Sequence, residues 1–226
     1  MKEIYIWHHM GMGDYFTCNG IVRHYASLYD KITLFYKHPY KKNVERLYGD
    51  LKHINFIDGG TYEDNLARIW EMTHPGVNLL KIIISNQQLS EKYSFDEQFY
   101  QKANIPIEYK WSKFHFERDI KKEKEVYYDI LGLKDDEEYI FLHDYPGIQT
   151  KYIPDNIKII KPTNQDIQIF DFLYTMEKSK EVHLMNSSFF GLADCIQLKH
   201  NNLFYHEYIR GEGCMLFTKL NWQILK

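Results

Sequence analysis

The stretch IYIWHHMGMGDYF, residues 4–16, decides how this chain is read. Ile4 to His8 alternates apolar and polar-capable residues and reads as a short buried strand. Gly11 and Gly13 break it. From Asp14 onward Phe16, Gly20, Ile21, His24, Tyr25 and Leu28 recur at helical spacing, which predicts an amphipathic helix over residues 14–29. Glycine lets the backbone turn sharply and approach a ligand closely. The helix that follows directs free N–H groups and the positive end of its dipole at whatever lies there. The turn is no dinucleotide fingerprint, because the third glycine of that motif would fall at Phe16, and no Gly-Lys-Ser/Thr follows as in a phosphate-binding P-loop. It also lacks the acidic residue and third glycine of a methyltransferase loop. What it does is place a carboxylate, Asp14, at the start of a helix. A cap there is worth about 1 kcal/mol, and two glycines are more than a cap needs.

Working outward, strand and helix alternate. Strands are predicted over residues 32–36, 53–57 and 78–85, with helices over 40–51 and 61–73. After a middle section with helices over 94–104 and 113–131, strands return at 139–143, 157–160 and 181–185, with helices over 166–178 and 187–197. Two further short strands are expected at 203–208 and 215–220. Such alternation predicts parallel sheets covered on both faces. The pattern is doubled, which predicts two small α/β domains, residues 1–115 and 116–226.

Composition excludes several classes. The 226 residues are 44% hydrophobic and 26% charged, ordinary for a globular chain. A net charge of −3 argues against a dedicated nucleic-acid binder. No apolar run approaches the ~18 residues of a membrane helix, and residues 1–9 carry no signal-peptide pattern, so a cytoplasmic setting is expected. Cys18, Cys195 and Cys214 are scattered and odd in number, suggesting neither a disulfide framework nor a zinc site. The 19 tyrosines suit stacking on sugars or bases, although an AT-rich genome also accounts for them.

Two more loops draw attention. After the strand YIFLH comes His143-Asp144-Tyr145-Pro146-Gly147-Ile148-Gln149-Thr150-Lys151, at a strand's carboxyl end, where open α/β sheets bind ligands. Lys151 offers a point charge for phosphate and Thr150 a hydroxyl; an ordinary Pro-Gly turn is the bland alternative. Asn186-Ser187-Ser188 between a strand and a helix offers hydroxyls and free N–H groups to an anion, though plain capping explains it equally well. The same triplet is a glycosylation sequon, set aside because no secretion signal accompanies it. The 11 histidines show no metal-ligand spacing, and no metal is expected. His8 or His9 at a strand end could move a proton, but a structural role is the stronger expectation. No Asp-x-Asp triplet and no nucleophile elbow occurs. Arg23, Arg118 and Arg210 could clamp an anion, with plain surface placement expected.

Taken together, the three loops resemble glycosyltransferases of the two-Rossmann-domain GT-B type, and among these the heptosyltransferase family. That family opens with a strand, a glycine-Asp turn and a helix, with the Asp as proposed base; Gly13-Asp14 is similar. Its second domain begins with a strand and a proline-glycine loop carrying a donor-binding lysine; Pro146-Gly147 and Lys151 are similar. A late Asp-Ser/Thr-Gly segment followed by His-Leu-Ala resembles Asn186-Ser187-Ser188 and Gly191-Leu192-Ala193. Here Asn186, Ser188 and Gly191 replace the family's Asp, Gly and His. Residues 95–119 also resemble a segment of small glycosyltransferase-like proteins of viruses and bacteria.

The resemblance implies two Rossmann-like α/β/α domains facing across a cleft. The first would take a glycan or other hydroxyl acceptor and the second a nucleotide-sugar donor. It implies a metal-independent, inverting transfer with no cofactor beyond the donor itself. Asp14 would be the base, with Gly11, Gly13, His143, Thr150, Lys151, Asn186, Ser187 and Ser188 around donor and phosphate. The readings kept beside it are a non-catalytic nucleotide- or carbohydrate-binding module and another Rossmann-like transferase such as a methyltransferase. Sequence carries no signal for the sugar, the base, the acceptor or the oligomeric state.

Overall fold

Apolar strands separated by helix-length segments produce two parallel sheets in the computed structural model, which describes residues 1–61, 65–85, 92–143, 152–162, 167–209 and 215–226. The chain divides into two compact units, Met1–Glu117 and Arg118–Lys226.

In the first unit β1 (Glu3–His8), β2 (Lys31–Tyr36), β3 (Ile54–Asp58) and β4 (Leu79–Ile82) are all parallel, in the order β3-β2-β1-β4. Central β1 pairs Ile6 with Leu34 on one side and Leu80 on the other. Its core residues Ile4, Ile6 and Trp7 are buried, as a strand covered on both faces requires. Helices α1 (Met12–Ala26), α2 (Lys41–Leu47), α3 (Asn65–Thr73), α4 (Phe95–Lys102) and α5 (Tyr109–Ser112) complete the unit.

Helix α1 departs from the expected amphipathic helix over 14–29. It starts two residues earlier, because the Gly11 carbonyl already accepts from Asp14 and Tyr15 N–H. It is also buried on several faces, from Met12 through Phe16, Cys18, Gly20 and Val22 to Ala26. The reason is a second packing layer. Tyr100 Oη donates to the Thr17 carbonyl at 2.8 Å, and an alanine Cβ at Gly20 would lie 2.0 Å from the Tyr109 carbonyl oxygen. The middle section is therefore the outer wrap of α1.

Residues 113–119 are not helical as expected, since Asn19 takes both backbone groups of His115: its Oδ1 accepts from the N–H at 3.1 Å and its Nδ2 donates to the carbonyl at 3.2 Å. Within the wrap, Lys110 Nζ and Asp96 Oδ2 form an ion pair of 2.8 Å with both side chains fully buried.

The second unit opens with α6 (Ile120–Glu125), capped by the Asp119 side chain, and a π-helical turn over Val126–Ile130. Its sheet runs β6-β5-β7-β8-β9, all parallel, from β5 (Tyr139–Leu142), β6 (Lys158–Ile160), β7 (Glu181–Leu184), β8 (Leu203–His206) and β9 (Gln223–Leu225). Helices α7 (Leu173–Lys178) and α8 (Ser188–Cys195) link its later strands. Phe141 of β5 meets Phe172, which precedes α7, and Phe189 of α8. The helix expected over 166–178 begins instead as a 3-10 turn, Ile169–Phe172.

The strand expected at 215–220 is absent. Its polar groups are spent on Asp194, whose Oδ1 accepts from Thr218 Oγ1 at 2.5 Å and from Lys219 N–H, while Leu220 N–H bonds Thr218 Oγ1. The last strand forms at Gln223–Leu225, where the backbone is again available to β8. Arg23 binds Asp50 at 2.8 Å, and Arg118 pairs with Glu123 and Glu177, so neither is the plain surface residue expected. Arg210 and Cys214 lie outside the described residues; Cys18 and Cys195 are buried. Among the described residues, no helix is long and apolar enough to cross a membrane.

Candidate functional site

In an open parallel sheet the strand order reverses at one point, and the loops leaving the two strands there diverge and open a crevice at their carboxyl ends. In the first sheet that point lies between β1 and β4. His9 spans it: the Ile84 N–H donates to His9 Nε2 at 2.9 Å, and the ring lies against Phe95 and Phe99. The glycine turn follows directly. Gly11 is the N-cap of α1 in extended geometry, and Gly13 and Asp14 occupy the first helical turn. Asp14 Oδ2 accepts from the Gly11 N–H at 3.0 Å. A Cβ at Gly11 would fall 2.7 Å from that oxygen, so any larger residue there has to push the Asp14 carboxylate out of this position. Asp14 is thus not the N-cap but the third helical residue, with its carboxylate turned back over the helix start. Capping fixes it at the carboxyl edge of β1.

His8, one residue before the switch, is buried. Its Nδ1 is bonded to the His9 carbonyl, so the ring proton is on Nδ1 and Nε2 is a bare lone pair without a hydrogen-bond partner. Burial pushes its pKa down to about 4, which keeps the ring neutral. The structural role expected of it is therefore met on one nitrogen only.

In the second sheet the reversal lies between β5 and β7, and the sequence-selected residues stand on both sides of it. His143 leaves β5, and Ser187 caps α8 after β7. His143 Nδ1 and Ser187 Oγ are 3.0 Å apart, and the same oxygen accepts a long 3.4 Å bond from Phe190 N–H. The His143 ring packs on Phe189 at 4.8 Å between centroids. Asn186, Ser187 and Ser188 are half-buried at the amino end of α8, where helix N–H groups and hydroxyls gather. Thr150 and Lys151 lie outside the described residues.

Sequence reading missed a polar relay on the same sheet. His183 Nε2 bonds Glu181 Oε2 at 2.9 Å, His183 Nδ1 bonds His206 Nε2 at 3.0 Å, and His206 Nδ1 bonds Tyr208 Oη at 2.8 Å. Burial lowers the pKa of both histidines, that of His206 to about 4. The available signal was the alternation Glu181-Val182-His183, which puts two polar groups on one face of an otherwise apolar strand. Among the described residues, no cluster of three or more His, Cys, Asp or Glu could hold a metal ion.

No protein-family model matches the chain, and no curated protein sequence matches it significantly. Two solved structures are similar over its whole length. One is the glycosyl transferase family 9 structure from Veillonella parvula DSM 2008, at 8% identity and a TM-score of 0.59, covering 99% of this chain and 85% of that one. The other is the E. coli ADP-heptose lps heptosyltransferase II, at 9% identity and a TM-score of 0.57, covering 100% of this chain and 90% of that one. At such identities the likeness is one of fold. The chain has a heptosyltransferase-like GT-B fold of Rossmann-like α/β/α units.

Proposed function

We propose that the chain is a glycosyltransferase, moving a sugar from a nucleotide-sugar donor to a hydroxyl of a glycan or other acceptor. The observation that carries the reading is the pair of switch-point loops: one holds a carboxylate, Asp14, and the other presents an anion-binding helix start with His143 and Ser187 joined across it. The GT-B fold supports the assignment by analogy.

In this reading the second unit binds the nucleoside diphosphate, through the start of α8, Asn186, Ser187, Ser188 and His143, with Thr150 and Lys151 from the loop after β5. The first unit binds the acceptor beside the Gly11–Asp14 turn. Asp14 takes the acceptor hydroxyl proton as the oxygen attacks the anomeric carbon. The bond to the diphosphate oxygen breaks in the same displacement and the configuration inverts. Helix N–H groups, hydroxyls and the lysine charge stabilise the departing diphosphate, a role a metal plays elsewhere. No cofactor beyond the donor takes part, and the reaction belongs to a cytoplasmic nucleotide-sugar pool.

The test is nucleoside diphosphate release from a panel of nucleotide sugars with glycan acceptors. Release that depends on acceptor supports transfer. The second reading, a binding module without turnover, draws on Asn186, Ser188 and Gly191 at positions where the family carries Asp, Gly and His. It is favoured if nucleotides bind and nothing is released. A melting shift with S-adenosylmethionine alone would sink both in favour of a methyltransferase.

A further inference from the structure

The parallel register sets Tyr36 beside Asp58, so the chain leaving β2 and the end of β3 meet at one corner of the first sheet's carboxyl edge. There His38 Nδ1 and Asp58 Oδ2 are 2.9 Å apart. Asp58 Oδ1 accepts from Gly60 N–H at 2.9 Å, and the Gly60 carbonyl accepts from His38 N–H at 3.1 Å. Gly60 has φ +106°, a backbone only glycine adopts without strain, so this closed set of bonds is written into the sequence. Burial works to raise the Asp58 pKa, but the bonds from His38 and Gly60 outweigh it and hold the carboxyl below its usual value, hence ionised.

The corner borders an open pocket of about 410 Å³, lined among the described residues by His38, Asp58, Gly60, Thr61, Asn65 and Leu66. That is within the range of small-molecule sites, ~300–1,000 Å³. Its chemistry is selective. The Asp58 carboxylate lines it, and no lysine or arginine is among its described lining residues, so a phosphate or carboxylate ligand is disfavoured there relative to a neutral one, although Lys41 lies close enough to act on Asp58. The Thr61 hydroxyl and Asn65 amide both donate and accept, as sugar hydroxyls do. Asp58 orients the His38 ring through Nδ1, and that side chain is 68% exposed. Leu66, 49% exposed, adds an apolar wall for the C–H face of a ring. The segment that lines the cavity also packs against the residues leading into the turn that carries Asp14. A Cβ at Gly59 would fall 2.5 Å from Met10 Cε, so the chain after β3 packs directly on the residue preceding Gly11.

We infer that this cavity is a subsite for an uncharged, hydroxyl-rich ring, a neutral sugar unit of the acceptor, with His38 and Asp58 as its polar anchors. Calling that ring part of an acceptor rests on the glycosyl-transfer reading; the binding chemistry does not.

The test titrates the full chain, carrying isotope-labelled histidine, with methyl glucoside, galactoside, mannoside and N-acetylglucosaminide. A hexose phosphate and a methyl glucuronide are titrated in parallel. At least one neutral glycoside should move the His38 ring resonances, and the two anionic sugars should not. By calorimetric titration, His38→Ala and Asp58→Asn should each weaken that glycoside about tenfold, the loss of one polar contact to a charged or oriented partner. Unchanged melting temperatures show that both variants fold. The inference is overturned if no neutral glycoside perturbs His38 at tens of millimolar, if the anionic sugars bind as well, or if Asp58→Asn binds like the wild type. Nucleoside diphosphates added to the same preparation separate the two claims. Nucleotide binding without glycoside binding sinks the subsite and leaves glycosyl transfer standing. Glycoside binding without nucleotide binding does the reverse.

Discussion

His143 and Ser187 are 44 residues apart in sequence, yet their side chains meet at 3.0 Å where the strand order of the second sheet reverses. The hydroxyl that caps α8 is also the one that holds the imidazole at the end of β5. Ser187→Ala should therefore act twice. Loss of the cap costs about 1 kcal/mol in denaturant unfolding. Loss of an oriented donor set should weaken nucleoside diphosphate binding about tenfold by calorimetric titration. Equal affinity in wild type and variant would remove this loop from the site.

Asp14→Asn keeps the side-chain shape and can still accept from the Gly11 N–H, so the helix start survives. The amide cannot take a proton. Turnover should fall roughly a hundred- to ten-thousand-fold, the usual weight of a general base, while nucleotide affinity stays put. Wild-type turnover in the variant would end the assignment.

Gly20→Ala tests the packing of α1 against the wrap. Its Cβ would lie 2.0 Å from a backbone oxygen, that of Tyr109, which no rotamer change relieves. Urea unfolding should show a loss of about 3 kcal/mol, the upper range for overpacking. A loss within error would mean the wrap is looser than described.

The buried pair Lys110–Asp96 gives a double-mutant test. Lys110→Met strands a buried carboxylate and should cost about 3–5 kcal/mol. Adding Asp96→Leu should recover most of that, because a packed apolar pair has no unpaired charge to hold. Simple additivity of the two losses would show that the ion pair is not what matters there.

Acid stability follows from His8 and His206. Both have folded pKa values depressed to about 4, below the value near 6.5 of the unfolded chain. As pH falls below 6.5 the unfolded state binds protons first. The stability these groups contribute is complete above that pH and is lost progressively down to about 4. For the fully buried His8 this amounts to about 3 kcal/mol by linkage. Unfolding free energy measured across that window should fall, and His8→Leu should flatten the slope. An unchanged slope would show that His8 does not carry its share.

Much of the fold was readable because period-two and helical apolar patterns are local. Strand runs such as Ile32–Tyr36 and Tyr139–Leu142 had to be buried on both faces, and parallel pairing followed from the helices between them. Reading failed where a side chain from elsewhere claimed the backbone. Asn19 holds His115 out of a helix, and Asp194 and Thr218 hold residues 218–220 out of a strand. Asn19 and Asp194 are far in sequence from the segments they hold, so no local pattern reports them. The early start of α1 is a smaller failure of the same kind, since capping by Asp14 from inside the helix looks in sequence like a helix beginning at Asp14.

The sequence by itself determined the chemistry carried to each loop: a carboxylate after two glycines, hydroxyls after β7, an imidazole after β5. Those are properties of residue type and of a few neighbours along the chain. Only the tertiary structure decided which of them meet. His143 with Ser187, and His38 with Asp58, are brought together by strand order and register, and these are set by which apolar faces can be buried against each other across the whole unit.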